Sequence, residues 1–285
     1  MRILHVIPSL DRAEGGPSHA LPLVEHALAE RGHEVITAST VSSRDSSSSG
    51  SASNHHLFPR QSEFYKVSLP LTRWVKREVR NFDLVHIHAL FSHSSVSAAR
   101  CAAEAEIPFI IRPLGVLNQY GVQNRRRWLK KWSIRICEAP LIRKAAAMHF
   151  TSEDERKEAE MLGIEMNSKV IPLGIQVPDT LPERKVSASR TVLFLSRLDP
   201  KKNIESLLEA WSLLPSEIAN TWILKIAGNG DTSYVNHLKE LSRDLQVAQR
   251  IEWCGFVEGT SKERLFEEAE LYILPSFSEN FGIAA

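Results

Sequence analysis

Two turns of this chain carry side chains that could work together on a phosphate. In residues 192–208, VLFLSRLDPKKNIESLL, an apolar run ends at Arg197 and Pro200 turns the chain. Lys201 and Lys202 then precede Asn203, whose side chain is expected to cap the following helix by accepting from its free N–H groups. Cations at a strand's carboxyl end beside a helix N-terminus suit a phosphate or diphosphate, because fixed charge and unpaired N–H groups both favour an anion. In residues 269–285, AELYILPSFSENFGIAA, a second apolar run ends at Pro275, and Glu279, Asn280, Phe281 and Gly282 follow before a new helix is expected. A carboxylate there can accept sugar hydroxyls, and the backbone N–H groups of 280–282 can face hydroxyl or phosphate oxygens. Taken singly, the first turn reads as a solvated basic turn and Glu279 as a capping residue. Two such turns, one basic and one acidic, both at strand ends, point to a shared site.

The elements that would position these turns alternate along the chain. Strands are expected at 3–7, 33–40, 82–89, 108–112, 146–151 and 169–172, with helices at 18–31, 69–80, 94–105 and 154–162. The rhythm breaks over a polar, proline-bearing stretch and restarts with strands at 192–196, 222–227, 251–254 and 271–274 and helices at 204–214, 234–245 and 262–268. Repeated strand–helix–strand units predict an α/β protein with parallel, doubly wound sheets covered on both faces. The expected organisation is a first domain over 1–175, a linker over 176–190 and a second domain over 191–285, with a cleft between the carboxyl ends of their strands. Residues 42–54, SSRDSSSSGSASN, are nearly devoid of apolar side chains and are expected to form a mobile loop.

At the two turns the sequence resembles retaining glycosyltransferases of family 4, which have the GT-B fold of two Rossmann-like domains facing a cleft. SRLDPKKN followed by PSFSENFGIAA matches the family's Arg, its Lys five residues later, and its Glu-x-Phe-Gly turn at Arg197, Lys202, Glu279, Phe281 and Gly282. Gly15-Gly16 resembles the family's glycine loop near the donor phosphates. FDLVHIHAL at 82–90 resembles the strand ending in His-Gly-Leu, and RPLGVLNQY at 112–120 and HFTSEDE at 149–155 resemble acceptor-side and cleft segments. The resemblance implies that Arg197 and Lys202 stabilise charge on a departing diphosphate and that Glu279 holds the donor sugar. It further implies that Gly15, Gly16, Gly228, Asn280, Phe281 and Gly282 line the donor site and that His88 and Arg112 lie on the acceptor side. The implied activity is hexosyl transfer from a nucleoside-diphosphate sugar to a hydroxyl acceptor, a glycan or lipid-linked glycan, with retention and without metal or other cofactor. The alternative is a non-catalytic nucleotide-sugar binder of the same fold. The motif's second Glu would fall at position 287, after Ala285, so the second domain is expected to be incomplete. The family's glycine after the motif lysine is Asn203 here.

Weaker signals are read as structural. His86 and His88 share a strand face, but no Cys, Asp or Glu stands at a matching spacing, so no metal is expected. His86 is assigned to structure, and Asp11, Glu14 and His19 to loop and helix-start polarity. The Gly-x-Gly of AGNGD, 227–231, is no dinucleotide fingerprint, and no G-x-G-x-x-G follows the first strand, which disfavours an oxidoreductase. The 285 residues carry 35 basic and 34 acidic side chains, a balance that points away from nucleic acid. The three cysteines are widely spaced and predict free thiols in a reducing compartment. With no apolar run of membrane-spanning length and no recognisable signal peptide, a cytoplasmic protein is expected. The basic run Arg125–Arg127, Lys130, Lys131 and Arg135, interleaved with Trp128 and Trp132, reads either as a solvated helix with its aromatic face in the core or as a peripheral contact at the inner face of an anionic membrane.

Overall fold

The computed structural model describes residues 1–11, 16–42, 54–117, 132–174, 190–279 and 282. The chain divides into two compact units, Met1–Gln176 and Val177–Ala285.

The first unit is built on seven parallel strands: β1 Arg2–Ile7, β2 Glu34–Val41, β3 His55–Pro59, β4 Leu84–His88, β5 Phe109–Arg112, β6 Ala147–Phe150 and β7 Ser168–Val170. They lie in the order β3-β2-β1-β4-β5-β6-β7, which reverses between β1 and β4. Because crossovers between parallel strands are right-handed, the helix Gly16–Glu30 after β1 packs on one face and the helices after β3, β4, β5 and β6 pack on the other. The latter contribute Leu71, Val75, Ala98, Ile142 and Ala159 to the main core, against Leu4, Val6, Ile87, Ile111 and Met148 from alternate strand positions. Serines set the helix starts: Ser68, Ser92 and Ser152 accept from the N–H groups of Leu71, Ser95 and Glu155.

Sequence reading did not foresee β3. His55, His56 and Pro59 are poor strand formers, and Pro59 is accommodated because β3 ends there on the sheet's edge, paired only with β2. The expected mobile loop falls mostly in 43–53, and this stretch, the glycine loop's Gly15, residues 12–14, residues 118–131 with most of the basic run, and residues 175–189 with all of the linker except Arg190 lie outside the described residues. The helix expected at 69–80 ends at Glu78 and tightens into a 3-10 turn over Val79–Asn81.

The second unit has four parallel strands, β8 Arg190–Leu195, β9 Trp222–Ala227, β10 Ile251–Gly255 and β11 Leu271–Tyr272, in the order β10-β9-β8-β11. Its strand order also reverses beside its first strand, between β8 and β11. Val192, Phe194, Leu224 and Ile226 pack with Leu207, Leu208 and Trp211 of the helix Ile204–Ser212 and Leu238 of the helix Thr232–Asp244. Each such side chain contributes roughly 1.5–3 kcal/mol when fully buried. The helix expected at 262–268 begins earlier, at Gly259.

Candidate functional site

The two turns singled out by their charges follow β8 and β11, the strands that flank the reversal of the second sheet, where open α/β sheets bind ligands. After β8 the chain continues in register with β9 for three more residues: Ser196 N–H bonds the Ala227 carbonyl and Leu198 N–H bonds the Asn229 carbonyl, at 3.1 and 2.8 Å. Asp199 then accepts from Lys201 N–H at 3.0 Å and starts a 3-10 turn over Pro200–Lys202. Lys202 Nζ meets Glu279 Oε1 at 2.5 Å, and Ser276 Oγ donates to the same oxygen. A backbone bond from Phe277 N–H to the Lys201 carbonyl, 3.0 Å, clamps the two turns together. The Lys202 side chain is 12% exposed and that of Glu279 30%, whereas Arg197 reaches solvent. Burial pulls the Lys201 ammonium below its usual range; Glu279 opposes that shift, and the positive charges of Lys202 and Arg197 add to it. Two carboxylates, Glu279 and Asp199, therefore face three cations, and a net positive charge remains for an anion.

Asn203 departs from expectation. Its side chain does not cap the helix Ile204–Ser212; Nδ2 donates instead to the Pro275 carbonyl at 3.3 Å, a further tie between the turns. Its backbone is left-handed, at φ 55° and ψ 44°. A cap acceptor needs extended backbone, so the capping role is lost, and the residue types that suit this conformation are Gly and Asn. Gly282 likewise has positive φ, 66°. Asn280 and Phe281 lie outside the described residues.

Gly228 has a different reason to be glycine. At φ 141° its Cα faces the Ser196 carbonyl, with which an added methyl would collide, and a methyl on Gly230 would strike the Leu198 carbonyl. The Gly-x-Gly turn after β9 thus allows the basic turn to lie against it, and Gly228 N–H is itself used by the Gly255 carbonyl at 2.7 Å.

In the first unit Gly16 opens the helix Gly16–Glu30. His88 and Arg112 are register partners at the carboxyl ends of β4 and β5 and are both buried. His88 Nε2 lies 2.8 Å from Nδ1 of His5, while His86 Nε2 lies 3.4 Å from Nδ1 of His149, whose Nε2 donates to the Ile171 carbonyl. Sequence reading missed His5 and His149. The signal was present: β1, β4 and β6 each carry a histidine on the same strand phase, and parallel register brings equal phases onto one face. Burial depresses His5 to about 4 and holds His86 and His88 well below the usual imidazole range. Ligand atoms of His5, His86 and His88 lie within 4.8 Å of one another, a spacing open to a metal ion. The fixed charge of Arg112, which adds to all three depressions, opposes a dication there. Burial also lowers Arg112, to about 10, against the attraction of Glu155. Glu155 in turn accepts from Gly115 N–H and Thr151 N–H at 2.7 and 2.8 Å, holding the segment after β5 to the start of the helix Glu153–Glu160.

Two family models match the chain, one over each unit. The family described as Glycosyltransferase Family 4 matches residues 15–177, and that described as Glycosyl transferases group 1 matches residues 181–285. An uncharacterized glycosyltransferase of Methanocaldococcus jannaschii is 35% identical over 97 residues, 34% of this chain and 24% of that protein. The serotype-specific mannosyltransferase WbdA of Escherichia coli is 27% identical over 93 residues, 32% of this chain and 11% of that protein. These matches thus span a quarter or less of either relative's length. Among solved structures, Anabaena HepE in complex with UDP and glucose superposes with a TM-score of 0.75 at 19% identity, covering 100% of this chain and 77% of that one. A sucrose-phosphate synthase from Thermosynechococcus elongatus gives 0.73 at 17% identity, with 100% and 77% covered. These likenesses show the fold, two Rossmann-like units of the GT-B type, and the family match spans more than half of the sequence: the chain belongs to glycosyltransferase family 4.

Proposed function

We propose that this chain carries the donor-binding and acceptor-binding units of a hexosyltransferase that uses a nucleoside-diphosphate sugar. The observation that carries the reading is the meeting of Lys202 with Glu279, beside Lys201 and Arg197, at the reversal point of the second sheet. Arg197, Lys201 and Lys202 would neutralise the diphosphate as negative charge develops on the leaving oxygen, and Glu279 would accept hydroxyl protons of the sugar. In the free protein Lys202 and Glu279 satisfy each other. The ligand then exchanges that contact for two others, so neither Lys202 nor Glu279 is left without a partner with or without ligand. Transfer is read as retaining and metal-independent on family membership. HepE, solved in complex with UDP and glucose, supports a sugar-nucleotide donor.

The acceptor is read as a hydroxyl of a glycan or glycolipid, with His88 and Arg112 on its side. A Streptococcus pneumoniae relative, 25% identical over 134 residues, is an alpha-monoglucosyldiacylglycerol synthase and supports the glycolipid branch. Peripheral attachment to the inner membrane face is part of the same reading. Trp132 and Ile136 are 62% and 57% exposed beside exposed Arg135, Arg143 and Lys144. Among the described residues no helix is long and apolar enough to cross a membrane. A donor screen by thermal shift, with UDP, GDP, ADP and their sugars, tests the proposal. One nucleoside diphosphate is expected to raise the melting temperature, since ligand that binds only folded protein stabilises it. No shift with any of them would contradict it.

A further inference from the structure

Where the strand order of the first sheet reverses, at the carboxyl ends of β1 and β4, the first unit holds a recess of about 300 Å³. It is walled by residues 7–9, by 63, 65 and 66, and by 89–92, with Leu114 and the helix start at Pro17 and Ser18. Its backbone is unusual. Of the eight non-glycine residues with left-handed φ among the described residues, five line it: Tyr65 at 58°, Lys66 at 47°, Ala89 at 74°, Phe91 at 55° and Leu114 at 59°. Such conformations persist only where the surroundings over-determine them, and they gather at binding sites.

Two of the five are fixed by one group that does not itself line the recess. Glu138 Oε1 accepts from Phe91 N–H at 3.1 Å and from the Tyr65 hydroxyl at 3.0 Å. The same hydroxyl lies 3.2 Å from Ser133 Oγ. Glu138 is 1% exposed and ends a π-turn, Ile134–Glu138, in which Ala139 N–H reaches the Ile134 carbonyl five residues back. Turns of that kind are rare and concentrate at functional sites. Phe91 belongs to the segment after β4 and Tyr65 to the segment after β3, so a single oxygen ties two walls that the sheet alone leaves independent. Arg60 braces the third wall: it donates to the Pro8 carbonyl at 3.1 Å and to Glu63 at 2.8 Å.

We propose that Glu138 is a positioning residue for acceptor binding: it holds Tyr65 and Phe91 in the strained backbone that shapes this recess around a pyranose ring. Its occupant rests on the proposed function. The recess offers Ser9, Ser18, Ser92, Glu63 and Lys66 to hydroxyls and Ile7, Leu90 and Phe91 to a ring's apolar face, a mixture suited to a sugar.

The test uses the full chain labelled with 3-fluorotyrosine and, as probes, methyl α-glucopyranoside and methyl α-mannopyranoside followed by ligand-observed NMR. In Glu138→Gln the accepting oxygen is kept, so the Tyr65 fluorine resonance should stay in place and probe affinity should remain within about threefold. In Glu138→Leu, and in Glu138→Asp should the former fail to fold, the oxygen is lost or withdrawn. The Tyr65 resonance should then move while those of Tyr234 and Tyr272 do not, and probe affinity should fall about tenfold or more. An unmoved Tyr65 resonance with unchanged probe affinity in Leu or Asp overturns the positioning role. A wild-type protein that binds neither probe, with Tyr65 still displaced in the variants, overturns the sugar as occupant and supports the positioning role alone.

Discussion

Charge and hydrogen-bond stoichiometry decide what single residues do here. Lys202 and Glu279 are 77 positions apart yet share an ion pair, so the basic and acidic turns that stand out in the sequence do meet in the fold. The role of Asn203 was misread because capping depends on backbone angles that no residue type fixes. Its left-handed conformation makes a prediction: Asn203→Val should destabilise the second unit by about 1–2 kcal/mol or more, since a β-branched side chain resists φ near 55°. Asn203→Gly relieves that strain and forfeits only the bond to Pro275, so its urea midpoint should lie close to wild type. A valine variant as stable as wild type would remove the conformational explanation. Glu138 was invisible in the sequence for a similar reason: a carboxylate in a helix-like stretch reads as solvent-facing, and only the π-turn and its two distant donors disclose it.

At the scale of elements, close backbone approach matters more than side-chain chemistry. The turn after β9 presses against the segment after β8, so Gly228→Ala should cost several kcal/mol and displace the basic turn; denaturant unfolding together with loss of diphosphate binding would register both effects. Retained stability would mean that the two turns can separate. Most strand and helix positions in both units were legible from apolar periodicity, because buried parallel strands are continuous apolar runs; the helix Ala139–Lys144 was not, because it follows a basic run that hides its apolar face. Strand β3 was not, because an edge strand can hold His55, His56 and Pro59 without loss. The histidine face shared by β1, β4 and β6 yields a pH dependence. Burial depresses His5 from 6.5 to about 4, with Glu25 opposing and Arg112 adding. Below 6.5 the unfolded chain binds a proton that the folded chain refuses, so the contribution is complete above that pH and is lost as pH falls toward 4. His5→Gln should therefore flatten the loss of stability between pH about 7 and about 4.5, read from urea midpoints; an equally steep profile would place the titrating group elsewhere.

For the molecule as a whole, each unit repeats one plan: the sheet reverses its strand order beside its first strand, and the turns flanking that reversal carry the polar groups. In the first unit the reversal holds the recess and the Glu138 tie, and in the second the basic and acidic turns. The sequence disclosed this duplication through its interrupted rhythm, and the residues with ligand chemistry through motif spacing. Register and backbone conformation, which gather His5, His149, Tyr65 and Glu138, required coordinates because they arise from pairings between distant segments. In the proposed function a diphosphate is received by the cations beside Glu279. Calorimetric titration of the chain with the nucleoside diphosphate chosen by the donor screen tests it directly, comparing wild type with Lys202→Ala and repeating both with the bare nucleoside. The predicted result is a loss of diphosphate affinity of about tenfold or more in Lys202→Ala, equivalent to a charge-assisted hydrogen bond, with nucleoside binding unchanged. Equal diphosphate affinity in a folded Lys202→Ala protein would contradict it.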